Sequence, residues 1–164
     1  VIRLVFVLAL MAGPALAQDL NYSDGPTQMC LEDAERYSDS IACAGSSAGE
    51  CMEQTPGGYS TAAMGGCLDR ELAFWDSMLN DFYGDAMNAA KGMDADRSVD
   101  MQDRPGSAAA LRDMQRAWIV FRDKACAYEA SLWGGGTGQG PAALGCLLEQ
   151  TARQALTLSP PDNG

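Results

Sequence analysis

The chain has 164 residues, six cysteines, no histidine and a formal net charge of −11, from 22 acidic and 11 basic side chains. So large an acidic excess excludes nucleic acid and anionic membrane surfaces as partners, because both are bound by clustered Lys and Arg that release counterions. It favours solubility and cationic partners.

Residues 1–17 read as an export signal. Arg3 supplies a minimal positive start, Leu4 to Met11 is apolar, and Ala15-Leu16-Ala17 is a small-residue cleavage site. The apolar run is too short to span a bilayer. No cysteine directly follows the cleavage site, so no lipid or other membrane anchor is expected. The mature form is expected to begin at Gln18 and to be periplasmic or secreted, and it loses Arg3, which makes it slightly more acidic still.

The spacing then predicts a first helix from about Thr27 to Tyr37, with Thr27 or Asp24 as N-cap beside Pro26. Short helical turns are expected to hold Cys43 and Cys51. Ser60 is a good cap for a long helix reaching about Lys91, with core positions Met64, Leu68, Trp75, Leu79, Phe82, Ala86 and Ala90. Gly92 to Gly106 is a polar, acidic linker containing Pro105. Ser107 caps the next helix. Its stripe runs Leu111, Met114, Trp118, Phe121, Ala125, Tyr128 and Leu132, in alternating steps of four and three after the first. That helix ends before Gly134. Pro141 opens the last one, with Leu144, Leu148, Thr151, Ala155 and Leu158 on one face.

β-branched residues are few and never alternate with polar ones over a strand's length. The expectation is an all-α, disulfide-stapled helical bundle: a long helical hairpin and a C-terminal return helix. Residues 18–59 form an N-terminal disulfide-linked segment, 60–158 the helical core, and 159–164 a tail. Trp75, Phe82, Trp118 and Phe121 are expected to supply much of the core, at about 1.5–3 kcal/mol for each buried side chain.

Six cysteines in an exported chain imply three disulfides. Two cysteines far apart on one helix cannot bond, because each residue adds about 1.5 Å of rise and a bridge needs Cα atoms within roughly 7 Å. Each sequential pair brackets a helix breaker. Ser38-Asp39-Ser40 lies between Cys30 and Cys43, Pro56-Gly57-Gly58 between Cys51 and Cys67, and Gly134-Gly135-Gly136 with Pro141 between Cys126 and Cys146. Sequential pairing is therefore expected, each loop stabilising by about 3 kcal/mol in the chain-entropy model. A zinc site would need closely spaced cysteines, and no C-x-x-C occurs.

Four sequence patterns raise catalytic or ligand chemistry and fail on their context. Gly45-Ser46-Ser47-Ala48-Gly49 matches the G-x-S-x-G elbow, but the chain has no His base and no strand before it, so a small-residue turn is expected. Gly134 to Gly140 is glycine-rich but lacks the Lys-Ser/Thr of a phosphate loop and follows a helix. Asp94, Asp96, Ser98 and Asp100 mimic a calcium loop, yet Val99 replaces the required Gly and Pro105 the bidentate Glu. Two carboxylates suffice for glycoside hydrolysis, but no pair of acids is singled out. No enzyme activity and no cofactor are expected.

The most distinctive polar residues are Asn80, Gln115, Arg122, Asp123, Thr151 and Arg153. They lie beside the apolar stripes, either as a ligand-contact patch or as a buried network tying three helices together. The network is the expected role, since buried polar groups must be paired. Leu79, Asn80 and Tyr83, then Gln115-Arg116-Ala117-Trp118, Arg122, Asp123 and Cys126, then Cys146, Thr151, Arg153 and Leu156 form a pattern from Cys51 to Leu158. This pattern resembles the LprI-type lysozyme inhibitors, small secreted bacterial proteins. The Cys30–Cys43 segment lies outside it.

The resemblance implies stoichiometric inhibition. An acidic domain would be steered to a cationic lysozyme, and a rigid disulfide-held loop would block its cleft. Candidate interface loops are Pro56 to Tyr59, with Tyr59 as aromatic anchor, and Gly134 to Gln139, including Gly135, Gly136 and Thr137. The alternative is a periplasmic structural or adaptor module that keeps the fold but binds another envelope protein or a cell-wall component.

Overall fold

A computed structural model describes residues 19–96 and 105–160. The expected export signal at residues 1–17, the middle of the acidic linker with Ser98, Val99 and Asp100, and the end of the tail lie outside the described residues. Among those described there are six helices and no strand: α1 (Gly25–Glu32), α2 (Tyr37–Ala42), α3 (Ser46–Gln54), α4 (Thr61–Ala95), α5 (Ser107–Ser131) and α6 (Gln139–Leu158). No helix among them is long and apolar enough to cross a membrane.

α4 is the spine. Ser60 caps it, its Oγ accepting from the Ala63 N–H at 3.3 Å. Its buried line is Ala63, Cys67, Glu71, Trp75 and Leu79, each four residues after the last, continuing through Met87 and Ala90. At 3.6 residues per turn a four-residue step drifts about 40°. The line therefore winds around α4 and meets different neighbours along its length. α6 runs parallel to α4 and shares its core: Trp75 and Leu79 pack with Leu148, Ala152 and Ala155. α5 runs antiparallel to both, tied to α6 by Cys126–Cys146.

The turn from α4 into α5 is closed by Asp94. Its carboxylate accepts from the Ser107 N–H at 2.6 Å and from the Ala108 N–H at 3.0 Å. The cap of α5 is thus a side chain from the preceding helix. Ser107, expected as the cap, is the first helical residue after Gly106. α6 begins at Gln139, with Pro141 in its first turn, where the missing N–H costs nothing.

Three sequential disulfides form, with Cα–Cα distances of 5.6, 5.8 and 5.4 Å for Cys30–Cys43, Cys51–Cys67 and Cys126–Cys146. The first corrects the sequence reading of the N-terminal segment. The expected single helix from Thr27 to Tyr37 is two helices, and the proposed breaker Ser38-Asp39-Ser40 is helical. The chain reverses between Asp33 and Arg36 instead, with Arg36 extended. A continuous helix would hold Cys30 and Cys43 about 20 Å apart, so the bridge requires that reversal.

The core also differs from expectation on α5. Trp118 packs against the central cluster, but Phe121 is 61% exposed. α5 meets its neighbours through Leu111, Gln115, Trp118, Arg122, Cys126 and Ala130, a face rotated from the predicted stripe. Phe121, Tyr128 and Leu132 are left on the open side, and Met114 lies at the edge, its sulfur accepting from Gln154 of α6.

Candidate functional site

The most elaborate polar site in the fold was not foreseen. Glu71 is fully buried between Cys67 and Trp75 on the α4 line. Its Oε1 accepts from the Thr27 hydroxyl at 2.9 Å, the Gly45 N–H at 2.8 Å and the Trp75 indole N–H at 3.1 Å. Its Oε2 accepts from the Ala48 N–H at 2.7 Å. Gly45 and Ala48 open α3, so the carboxylate sits where free N–H groups and the helix dipole favour negative charge. Ser47 and Thr27 complete the cradle with reciprocal bonds: the Thr27 N–H donates to Ser47 Oγ at 3.0 Å and the Ser47 N–H to Thr27 Oγ1 at 3.1 Å.

The Gly-Ser-Ser-Ala-Gly stretch is therefore a nest for an internal carboxylate. Ser47 is buried and turned into it, not presented as a nucleophile. The site fastens α1 and α3 to α4. The available signal was an acidic residue at four-residue spacing between a cysteine and a tryptophan of one buried line.

The six distinctive polar residues do not form the expected network across three helices. Gln115 alone links two of them, its Oε1 accepting from Gln154 Nε2 of α6 at 2.9 Å. Asn80 donates to Asp76 within α4. Arg122 pairs with its neighbour Asp123 at 2.9 Å, and its guanidinium lies 5.0 Å from the Trp118 ring centroid. Arg153 pairs with Glu149 on the surface of α6. Thr151 is fully buried, and its hydroxyl has no hydrogen-bond partner among the described residues. For Asn80, Arg122 and Arg153 the reason is geometric: they sit at the margins of the helix contacts, where a partner on the same helix is nearer than one across the interface. Leu79 and Trp118 belong to the core, whereas Asn80, Tyr83 and Gln115 line one open groove between α4 and α5.

The two loops expected to contact a partner lie at one end of the bundle, where α4 and α6 begin and α5 ends. Tyr59, just before α4, is 66% exposed. The α5–α6 turn is tight. Gly134 donates to the Ser131 carbonyl at 3.1 Å and Gly136 to the Trp133 carbonyl at 2.9 Å. Gly134 and Gly135 have φ of 56° and 83°, the left-handed region that favours glycine. Gly135, Gly136 and Thr137 are all exposed.

Beside them stands a residue that sequence reasoning passed over. Trp133 lays its ring against Gly138, where a Cβ would come within 2.2 Å of it, yet remains 54% exposed. Leu132, the C-cap of α5, and Tyr128, on its last turn, are exposed and extend this apolar surface. A half-exposed tryptophan held against backbone, on a turn clamped by a disulfide, has the properties of an anchor for a protein partner.

Two curated relatives resemble the chain. One is an uncharacterized 17.7 kDa protein in the puhA 5′ region of Rhodobacter capsulatus, 26% identical over 133 residues, or 80% of this chain and 82% of that protein. The other is an uncharacterized protein of Rhizobium meliloti, 29% identical over 92 residues, or 56% of this chain and 66% of that protein. No solved structure gives a significant match. The family model described as lysozyme inhibitor LprI matches residues 51–158, from the first cysteine of the Cys51–Cys67 bridge to the end of α6, and the chain belongs to that family.

Proposed function

We propose that the protein binds a cationic lysozyme stoichiometrically and blocks it, using the bundle end that carries Tyr59 and the α5–α6 turn. The observation that carries this reading is the exposed Tyr128, Leu132 and Trp133 surface around a turn fixed by Cys126–Cys146. Exposed contiguous apolar surface on a small acidic protein calls for a partner. The net charge of −11 supplies long-range attraction to a cation, and a pre-ordered turn loses little entropy on docking. Membership of an inhibitor family supports inhibition over catalysis. The three disulfides fit an oxidising compartment outside the cytoplasm. On this reading the working form is periplasmic or secreted and begins near Gln18.

The test is a cell-wall lysis assay at low salt, with the oxidised protein in molar excess over several lysozyme types. Inhibition of a cationic lysozyme is expected, with an association rate that falls as salt rises, since screening shortens to about 8 Å at physiological ionic strength. Trp133→Ala should raise the dissociation rate about 30-fold if Trp133 is an anchor worth about 2 kcal/mol. Tyr59→Ala tests the other loop separately. Undiminished lysis with every lysozyme would refute the proposal.

A further inference from the structure

The groove between α4 and α5 is distinct from the aromatic end of the bundle. It is an open trough of about 420 Å³, walled by Asn80 and Tyr83 of α4 and by Arg112, Gln115, Arg116 and Ile119 of α5. Arg112 and Arg116 stand one helical turn apart on its rim. Both are exposed, and neither has an ion-pair or hydrogen-bond partner among the described residues. Arg36, Arg122 and Arg153, by contrast, are each paired with a carboxylate. In a chain with twice as many acids as bases, α5 carries a slight basic excess, Arg112, Arg116, Arg122 and Lys124 against Asp113, Asp123 and Glu129, and two of its guanidiniums are unpaired.

The neighbouring groups are biased the same way. The oxygen of Gln115 is occupied by Gln154, which leaves its amide nitrogen as the free end. The Tyr83 hydroxyl has no partner among the described residues, so it too is available to donate. Of the acids close by in sequence, Asp76 is engaged by Asn80, while Asp81 on α4 and Asp113 on α5 form an ion pair with neither arginine. The trough therefore presents mainly donors, with the Asn80 oxygen and the Tyr83 hydroxyl as its acceptors. Ile119 supplies an apolar patch on the α5 wall.

We propose that this groove binds a ligand bearing two carboxylates joined by a short apolar spacer. Side chains one turn apart on a helix stand about 5–6 Å apart at Cβ, so each guanidinium can fork its own carboxylate, with Ile119 as the apolar surface just beyond Arg116. A single compact anion would occupy only part of this arrangement. Nothing here depends on the inhibitor reading, because the groove lies along the side of the bundle and not at its aromatic end.

The probe is glutarate, titrated at low salt into the oxidised, isotope-labelled protein and followed by NMR, with neutral glutaramide and inorganic phosphate in parallel. Saturable shifts centred on the side-chain amides of Asn80 and Gln115 are expected with glutarate and not with glutaramide. Arg112→Gln and Arg116→Gln should each weaken binding about tenfold or more, the loss of one charge-assisted hydrogen bond, at unchanged melting temperature. A soluble cell-wall peptide with two free carboxylates forms a second arm. Tighter binding than glutarate assigns the carboxylates to the wall, and weaker binding assigns them to a small solute. No saturable response to either dicarboxylate, an equal response to glutaramide, tighter binding of phosphate, or variants that bind as the wild type would each overturn the proposal.

Discussion

Replacing Glu71 should unfasten the N-terminal helices from the bundle, and the size of the effect follows from its four donors. The carboxylate is fully buried, and no cation pairs with it among the described residues. Its charge is compensated by the Thr27 hydroxyl, the Trp75 indole and the N–H groups of Gly45 and Ala48. In Glu71→Gln one oxygen survives. Placed at Oε1 it keeps three donors, but the new amide nitrogen then faces the Ala48 N–H, donor against donor. One charge-assisted bond is lost and one buried N–H is left unpaired, which costs about 3 kcal/mol.

Glu71→Ala orphans all four donors at about 1–3 kcal/mol each. Even after discounting for the carboxylate's own desolvation, that approaches the roughly 5–15 kcal/mol that holds a domain together. An apolar replacement of similar volume gives no rescue, because two of the donors are backbone N–H groups and remain. Thermal unfolding of the oxidised protein is the assay. With about 2–4 °C lost per kcal/mol, Glu71→Gln should melt some 6–12 °C below wild type and Glu71→Ala lower still, if it folds. A Glu71→Gln protein within about 1 °C of wild type would refute the claim that the charged form organises α1 and α3.

Three other substitutions test the remaining polar groups. Thr151→Val removes a buried hydroxyl that has no partner while keeping its shape. It should raise stability by about 1 kcal/mol in urea unfolding, and a loss of that size would mean the hydroxyl is satisfied in solution. Arg122→Ala should cost only about 1–2 kcal/mol, because Asp123 is exposed and what is lost is mainly contact with the Trp118 ring. A cost above 4 kcal/mol would restore a buried pair.

The Tyr22 phenol, which donates to Asp24 at 2.7 Å, is pushed well above its usual range, first by burial and then by that bond. A raised folded value means that the folded chain keeps a proton the unfolded chain loses above about pH 10, so this contribution is complete below pH 10 and fades as pH rises further. Tyr22→Phe should flatten the alkaline fall in stability, measured by urea midpoints from pH 9 upward; an unchanged slope would dismiss Tyr22 as its source.

What was legible in the sequence is what local pattern determines. The Ser60 cap, the Trp75–Leu79 core of α4 and the return of α6 all follow from caps and 3.6-residue spacing. The disulfides followed from the rule that a helix cannot bend back on itself. Glu71 was hidden because an acid is almost never fully buried without a partner, and its backbone partners lie at the start of α3, 23 and 26 residues earlier. The Gly45–Gly49 stretch, expected as a plain turn, is instead the N-cap and first turn of α3, and spacing along the chain does not say what its N–H groups point at. Likewise the residues of the α4–α5 groove become neighbours only when the hairpin closes, so Arg112 had no visible significance.

The error on α5 has a different origin, and it bears on function. A heptad-like stripe states that one side of a helix is apolar, not that the fold has enough helices to cover it. α5 touches α6 and α4 on one flank, and no further helix among the described residues covers the other. Trp118 is drawn into the core while Phe121, Tyr128 and Leu132 stay in water. Their periodicity continues to the turn that presents Trp133. Had the stripe been core, the α5–α6 turn would have only Trp133 and glycines to offer a partner. Because the bundle leaves it open, the apolar surface required for protein recognition is contiguous with the disulfide-clamped turn, and the residues that helix periodicity assigned to folding are those the inhibitor reading needs outside.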